Sequence, residues 1–567
     1  MTTKNIIHLS KSSNPIKPIS ESKALDILIR MKSSVNDFFN ITPDHYLNAG
    51  AAGYRHFFFL LSSFLKDIAN TCIEEINSTY AIILFKGHGK NKSLSTSYRT
   101  ISTCPVVAKG LDMYVRDLHI ESWNDAQPAT QFQSEGSSHE LAAVLLSEVI
   151  QHSQMMLKEP TFVLFLDARS AFDVVLSELL VRNLHEVQEI DQCILYLDNR
   201  LKNRLTYVDW NGVVMGPISD EQGLEQGGVS SSDLYKIFAK EQLEMAQRSN
   251  LGVPLGNLII SGIGQADDTA LVSNNLYHLK YLLELTKSYC SKHFVDLTAE
   301  KTRLLLYRPS GKQADIMDHI PDDIININGQ CITFTDAAEH VGVIRSTSGN
   351  RPAILARLTA HRRSLASILH TGLARGHRGN PASSIQLHMM YCCPVLFSGI
   401  ATLVLSNKEI QMVEKHYADT IRRLLRLNKG TPRAVTYFLA GSLPGIAMIH
   451  MRQLSIFGMI TRLDGNILHT HAVNYFLSKT ISKHSWFHQI RSWCLLYGLP
   501  HPIDLLHSPL SKESFKSLVK KNIVSYWENK SLEKRGFNLT LTSVFPSFIY
   551  VFSASTFSLD ICWSLPS

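Results

Sequence analysis

Three short segments, far apart in the chain, constrain its fold more than any bulk property does. FVLFLDARSAFD at 162–173 ends an apolar run in Asp167. GLEQGGVSSSDL at 223–234 is a Gly/Ser-rich loop carrying Gln226, and GIGQADDTALV at 262–272 sets Asp267 and Asp268 between short apolar stretches. A single aspartate at a strand end is usually a cap or a turn residue. Adjacent carboxylates in an apolar hairpin are harder to explain that way, because like charges held together cost energy unless cations offset them. A fold that brings Asp167 beside Asp267 makes a paired-carboxylate cradle. That suits two Mg2+ ions, which prefer a few carboxylates plus phosphate oxygens.

The patterning around these segments predicts a small mixed sheet backed by helices. AIILF at 81–85, TFVLFLDA at 161–168 and TRLLLY at 302–307 read as strands, and LTYVDWNGVVMGP at 205–217 as a hairpin. IININGQCITF and EHVGVIR are short strands, and GIGQADDTALVSN is strand–turn–strand. The glycine- and lysine-rich KGHGKNKSLSTSYR is a further hairpin candidate. Helical patterns cover 21–78, an amphipathic 139–157, a helix from Ala171, 234–247, 276–294 and most of 350–490. Residues 1–20 are polar and proline-bearing, which predicts a flexible arm, and 534–565 reads as extended.

At 567 residues and 45% apolar, the chain can bury more than one core. Its net charge of +7 fits a nucleic-acid partner without requiring one. Nine cysteines include no C-x2-C pair, so a reduced interior is expected and a structural zinc is not. The N-terminal residues lack a signal-peptide core, and PVLFSGIATLVL at 394–405 is shorter than the ~20 residues a membrane span needs. No membrane association is expected.

In order, these motifs resemble the polymerase domain of reverse transcriptases, in particular those of non-LTR (LINE-like) retrotransposons. LDARSAFD is similar to the family's first palm motif, GLEQGGVSSS to its glutamine–glycine motif, and QADD to its acidic hairpin. HFVDLTAEKTRLLLY resembles the following helix–strand segment, and HVGV at 340–343 the primer-grip hairpin. Upstream, KGHGKNKSLSTSYRTIS resembles the fingers segment that ends in a Tyr–Arg pair, here Tyr98–Arg99, and TQFQSEGSSHELA the next block. Gln265 stands where the family usually has an aromatic residue, and Ser232 where a proline is common.

The resemblance implies an α+β right-hand polymerase. A helical extension at 21–80 would precede fingers and palm at 81–345, the palm with a small antiparallel sheet. A helical thumb would follow at 346–490, and 491–567 has no assigned role. It implies Asp167 and Asp267 as metal carboxylates for two Mg2+ ions, with Mn2+ as a substitute and Asp268 as the supporting acid. Phe172 would stand against the sugar of the incoming nucleotide, with Asp173 capping or bracing the helix from Ala171. Gln226 and Gly227 would line the template base and nucleotide. Lys86, Lys90 and Arg99 would meet the triphosphate, and Lys301 the pyrophosphate.

Basic runs in the thumb candidate are HRRS at 361–364, RGHR at 375–378 and IRRLLRLNKG at 421–430. In the last, Arg422, Arg423, Arg426 and Lys429 recur at helical spacing, as a face tracking a nucleic-acid backbone would. The expected activity is RNA-directed DNA synthesis, with an RNA template, a DNA primer and dNTPs as partners. The alternatives are a catalytically inactive remnant that grips RNA or hybrid, and an RNA-dependent RNA polymerase, which Phe172 disfavours. No endonuclease motif is evident, so nicking is expected from a separate or missing domain. The site of action would be the nucleus for a eukaryotic element.

Overall fold

The computed structural model describes residues 2–13, 15–31, 36–37, 39–66, 74–87, 89–133, 136–309, 324–370, 380–478 and 482–534. The extended stretch expected after residue 534 and the RGHR run at 375–378 lie outside them. The chain forms two compact units, each assembled from three stretches. Unit 1 takes 1–135, 167–245 and 284–300, and unit 2 takes 136–166, 246–283 and 301–567. The fold is mixed α+β, with open sheets and many helices.

Unit 1 is built on a four-stranded sheet of β1 (Ser78–Phe85), β2 (Tyr98–Thr103), β4 (Arg204–Trp210) and β5 (Val213–Asp220), in the order β2-β1-β4-β5. β1 and β2 close the lysine-rich hairpin, pairing antiparallel from Phe85↔Tyr98 to Tyr80↔Thr103. β1 runs parallel to β4. The β4–β5 turn is Asn211–Gly212 between the paired Trp210 and Val213. Both turn residues have positive φ (55° and 83°), the two-residue geometry for which Asn-Gly is preferred.

The N-terminal residues depart from the expected loose arm, because Thr3–Ser12 is a helix. Thr2 caps it, Ile6 is fully buried with Val181 and Ile194, and Thr3 Oγ1 donates to the carbonyl of Glu178 (3.1 Å). Apolar Ile6 and Ile7 supply enough burial to order a segment whose composition is otherwise polar. The helix beginning at Glu21 stops at Arg30, earlier than its apolar pattern predicts. Farther on, Asp37 gathers backbone amides. Its carboxylate accepts from the amides of Phe39 (2.9 Å), Ile41 (2.8 Å) and Val106 (3.0 Å), a local alternative to helical hydrogen bonding.

Unit 2 contains the second four-stranded sheet, in the order β10-β3-β9-β8. Its strands are β3 (Thr161–Leu166), β8 (Gly262–Gln265), β9 (Asp268–Ser273) and β10 (Arg303–Tyr307). All six residues of β3 are buried, which accounts for its unbroken apolar run. Short hairpins β6–β7 (Val253–Leu255, Leu258–Ile260), β11–β12 (Asn326–Ile327, Gln330–Cys331) and β13–β14 (Ala337–His340, Val343–Ser346) complete the strands among the described residues. The helix His139–His152, expected to be amphipathic, is buried at every residue from Glu140 to Ile150. Its two glutamates are tolerated there because each is satisfied. Glu140 forms a fork with Arg452 (3.0 and 3.1 Å), and Glu148 accepts from Ser485 Oγ (2.8 Å) and the Trp486 amide.

From Arg351 onward the described chain is helical, as the pattern predicts. The segment Pro381–Thr402 is long and apolar enough to cross a bilayer, but it lies largely buried inside unit 2, with Cys392, Cys393 and Leu396 fully enclosed. A core helix passes the same test of length and composition. Beside it, three imidazoles form a chain: His361 Nδ1 meets His416 Nε2 (2.9 Å) and His361 Nε2 meets His388 Nε2 (3.0 Å).

Burial, reinforced by the neighbouring imidazoles and Arg362, holds His361 down at about 3. Burial likewise holds His388 and His416 at about 4. In the unfolded chain the same groups would ionise near 6.5. The stabilisation from keeping them neutral is therefore complete above pH 6.5 and is lost as pH falls from there toward 4. Thermal melts should show a midpoint that is level above about pH 7 and falls steadily between about pH 6.5 and 5. A midpoint unchanged across that interval would contradict the buried neutral chain.

Candidate functional site

The acidic hairpin is β8–β9, closed by the pair Gln265↔Asp268 around the two residues Ala266–Asp267. Asp267 and Asp268 are exposed, whereas Thr269 to Ser273 are all buried. Burial of the apolar strand thus holds the two carboxylates at the surface. Ala266 sits at φ 55°, a left-handed conformation disfavoured for any residue with a Cβ. β3 pairs antiparallel with β9 from Phe162↔Ser273 to Leu166↔Thr269. The last pair sets the end of β3 opposite the residue after Asp268, and Asp167 is the next residue of the chain after Leu166.

In unit 1, Asp167 is half-buried and tied to Thr298, whose hydroxyl donates to Oδ2 (2.6 Å) and whose amide donates to the Asp167 carbonyl (2.8 Å). Ala168 bridges to Leu297, and the Arg169 amide donates to the Asp296 carbonyl (2.8 Å). Segment 296–298 therefore fixes the backbone on both sides of the carboxylate. The helix expected from Ala171 begins only at Ser177, with Leu176 at its N-cap. Residues 170–174 form a turn in which the Ser170 carbonyl accepts from the amides of Asp173 and Val174. Asp173 is exposed in that turn and does not cap the helix. Phe172, half-buried, stacks on Tyr235 with centroids 4.7 Å apart and planes 16° from parallel.

The Gly/Ser loop packs onto this turn through its backbone. Gly223 N donates to Val175 O and Leu224 N to Phe172 O, both at 2.8 Å. Farther along, the Gln226 carbonyl accepts from Ser102 N on β2 (2.9 Å). Gly227 is at φ 108°, and a Cβ there would lie 3.0 Å from the Ser102 carbonyl, so the close approach requires glycine. Phe172, Gln226 and Gly227 are thus joined in one hydrogen-bonded set with the strand that carries Arg99. Arg99 itself is exposed, while Tyr98 packs between Phe85 (5.3 Å) and Trp210 (5.2 Å) as support. Lys86 is exposed, but its ammonium bonds its own hairpin at the Thr96 carbonyl (2.8 Å). Lys90 is exposed in that same hairpin.

In unit 2, Lys301 is exposed two residues before β10. The β13–β14 hairpin, matching HVGV, turns through Val341 and Gly342 at positive φ (44° and 75°), an unusual conformation for a β-branched residue. The expected basic helical face at 421–429 is not one. The helix Asn407–Leu424 ends before Arg426, which has φ 57°. Leu427 N donates to Arg422 O (2.8 Å) and Arg426 N to Arg423 O (3.2 Å), the paired bonds of a Schellman stop with arginine where glycine is usual. Arg422 bonds Asp419 Oδ1 (2.7 Å) and the Thr431 carbonyl (2.9 Å), whereas Arg426 and Lys429 are exposed beyond the helix.

Sequence reasoning missed Thr298, although it lies within the segment quoted for Lys301; its spacing alone marks nothing. It also missed a three-donor cluster in unit 1 of His119, Asp191 and Cys193, close enough to share a metal ion. No cysteine-spacing rule finds such a set. Its nitrogen, oxygen and sulfur donors suit a borderline ion such as zinc, whereas Mg2+ prefers an all-oxygen set. The cluster also has a simpler role. Asp191 caps the helix Gln192–Lys202 through Cys193 N (3.0 Å), and its second oxygen meets His119 Nε2 (3.0 Å).

Residues 88–337, a little under half of the chain, match the family model for reverse transcriptase (RNA-dependent DNA polymerase). No curated protein matches the chain.

Because Ala266 occupies a left-handed turn position, Ala266→Gly should be neutral or stabilising. Elsewhere the same change costs about 0.5–1 kcal/mol. Denaturant titration of both proteins checks this, and a loss of about 1 kcal/mol or more would show that the turn carries no strain.

Proposed function

We propose that this reverse-transcriptase family domain makes the chain an RNA-directed DNA polymerase of the non-LTR (LINE-like) retrotransposon type. The observation that carries the reading is the acidic hairpin at residues 265–268, whose strand is registered against the strand that leads into Asp167. The matched span encloses both. Unit 1's sheet with its lysine-rich hairpin serves as fingers, the β10-β3-β9-β8 sheet as palm, and the helices after residue 350 as thumb.

Asp167 and Asp267 hold the catalytic divalent ions, with Asp268 supporting the charge of the hairpin. When bound, two Mg2+ ions make the primer 3′-hydroxyl a better nucleophile and neutralise the departing pyrophosphate. The chain's own residues then position the reactants. Thr298 keeps the Asp167 carboxylate in one orientation, so less reorganisation is needed at the reacting centre. Phe172, braced by Tyr235, stands as a rigid wall against the nucleotide sugar and excludes a 2′-hydroxyl sterically. Gln226 and Gly227 lie along the nascent base pair, where a glycine lets the backbone approach closely. Arg99 and Lys301 supply positive charge to the triphosphate and the leaving group. Lys86 adds charge from the hairpin, and Arg422, Arg426 and Lys429 contact the template–primer backbone from the end of a helix rather than along its face.

Primer extension on an RNA template tests the reading. Wild-type protein should extend a DNA primer with dNTPs, and Asp167→Ala or Asp267→Ala should lower the rate at least about a thousandfold while leaving hybrid affinity within a few fold. Hybrid binding without extension by the wild type would favour a silent remnant. Equal extension by wild type and variants would assign the activity to other residues.

Phe172→Ala should raise the ratio of kcat/KM for rNTP over dNTP by about 10- to 100-fold, the scale of a steric gate. An unchanged ratio would return Phe172 to a packing role against Tyr235.

A further inference from the structure

We infer that Arg200 is a positioning residue for the nucleotide-facing loop at Gln226–Gly227, an assignment that rests on the polymerase reading above. Its guanidinium is enclosed in unit 1, with the side chain only 8% exposed. Nε and Nη2 fork onto Asp112 at 3.4 and 3.2 Å, and Nη2 reaches Glu225 Oε1 at 3.6 Å. Nη1 donates to the carbonyl of Ile76 (3.2 Å) and to Asn77 Oδ1 (3.5 Å). One side chain thereby links the helix Val106–Asp125, the helix Gln192–Lys202, the entry to β1, and the residue immediately before Gln226.

The second carboxylate makes this arrangement more than a structural ion pair. Asp112 already has the arginine fork and the Tyr196 hydroxyl (2.6 Å), so it is satisfied without Glu225. Glu225 adds a second negative charge against the Arg200 cation, and its carboxylate also accepts from the Thr79 hydroxyl on β1 (2.9 Å). A buried carboxylate is costly unless paired and hydrogen-bonded, so Glu225 is confined to the one place where Arg200 and Thr79 both reach it. Gln226 follows directly. With Glu225 held on one side and its own carbonyl bonded to Ser102 N on the other, its backbone has little freedom.

A second arginine grips the loop at its start. Arg204 donates to the carbonyls of Gln222 and Gly223 (3.2 Å each), while its Nε pairs with Asp220 Oδ2 (2.9 Å). The two arginines, four positions apart where the helix Gln192–Lys202 gives way to β4, therefore clamp residues 222–225 from one side. The rigid frame is the α-helix and strand, and the loop takes its shape from them.

Arg200→Lys keeps the charge but removes the fork, and Glu225→Gln keeps the Thr79 bond but removes the charge. Two readouts are needed. Amide hydrogen exchange of the peptide spanning 222–230 should quicken about tenfold in each variant, with most of the rest of unit 1 unchanged. In primer extension the KM for dNTP should rise about tenfold with kcat within about threefold, and the double variant should equal the worse single one because both act through one contact. Unchanged exchange in the loop would overturn the clamp. Quickened exchange with an unchanged KM would overturn the positioning role, as would additive effects in the double variant. Were the wild type inactive in extension, the polymerase reading would fall, and the exchange result would still decide whether Arg200 orders the loop.

Discussion

The pairing of β3 with β9 is the constraint on which the rest of the candidate site depends. Five antiparallel pairs between two largely buried strands fix which residue of each strand comes last. β9 is buried on both faces from Thr269 to Ser273, so a slip that carried the exposed Asp268 into the interior would be costly, and the register is strongly specified. That specification is inherited by Asp268, at the exposed start of β9, and by Asp267 in the turn just before it. These two acids therefore need no strong interaction of their own to be placed, whereas the Asp167 carboxylate is held by Thr298. The hydrophobic burial of Leu164, Leu271 and Val272 places the hairpin acids, at about 1.5–3 kcal/mol for each fully buried side chain.

Buried charge supplies a second level of order. Arg345, fully enclosed, donates to Ser147 Oγ (2.8 Å) and the Ala143 carbonyl (2.6 Å), which ties the β13–β14 hairpin to the buried helix of unit 2. Glu148 joins the same helix to residues 485–486, and Arg200 joins three segments of unit 1. Each such group would be expensive alone, and Glu148 and Arg200 are met by several partners while the Arg345 Nε stays unpaired among the described residues, so their contribution lies more in specifying one arrangement than in net stability. Breaking any one of them leaves an unpaired polar group in the interior, which is why these positions are sensitive to substitution.

Much of this was legible in the residues. β3, the acidic hairpin and the Asn211–Gly212 turn each follow from local patterns whose physical cause is short-ranged. The failures have short-ranged causes too, but ones that leave little trace in composition. The helix at 407 ends at a Schellman turn built on Arg426 rather than glycine, so the basic spacing ran on across a boundary that nothing announced. Ile6 ordered a segment whose composition is otherwise polar. The helix after Asp167 starts six residues late because backbone groups of the preceding turn bond the Gly223–Leu224 segment, some fifty residues on. Contacts of that range, including Thr298 on Asp167 and Arg200 on Glu225, are set by topology and cannot be read from spacing.

The central claim is that the divalent ions sit at the acidic hairpin and the end of β3. Iron-mediated backbone cleavage tests it directly: Fe2+ replacing Mg2+, with hydrogen peroxide as oxidant and ascorbate to recycle the iron, generates hydroxyl radicals that cut the chain close to wherever the ion is held. The account predicts cuts near residue 167 and within 265–268, suppressed by excess Mg2+ and absent in Asp267→Asn. Cleavage confined to the neighbourhood of residues 119 and 191–193 would place the ion at the His119–Asp191–Cys193 cluster instead, and would contradict it.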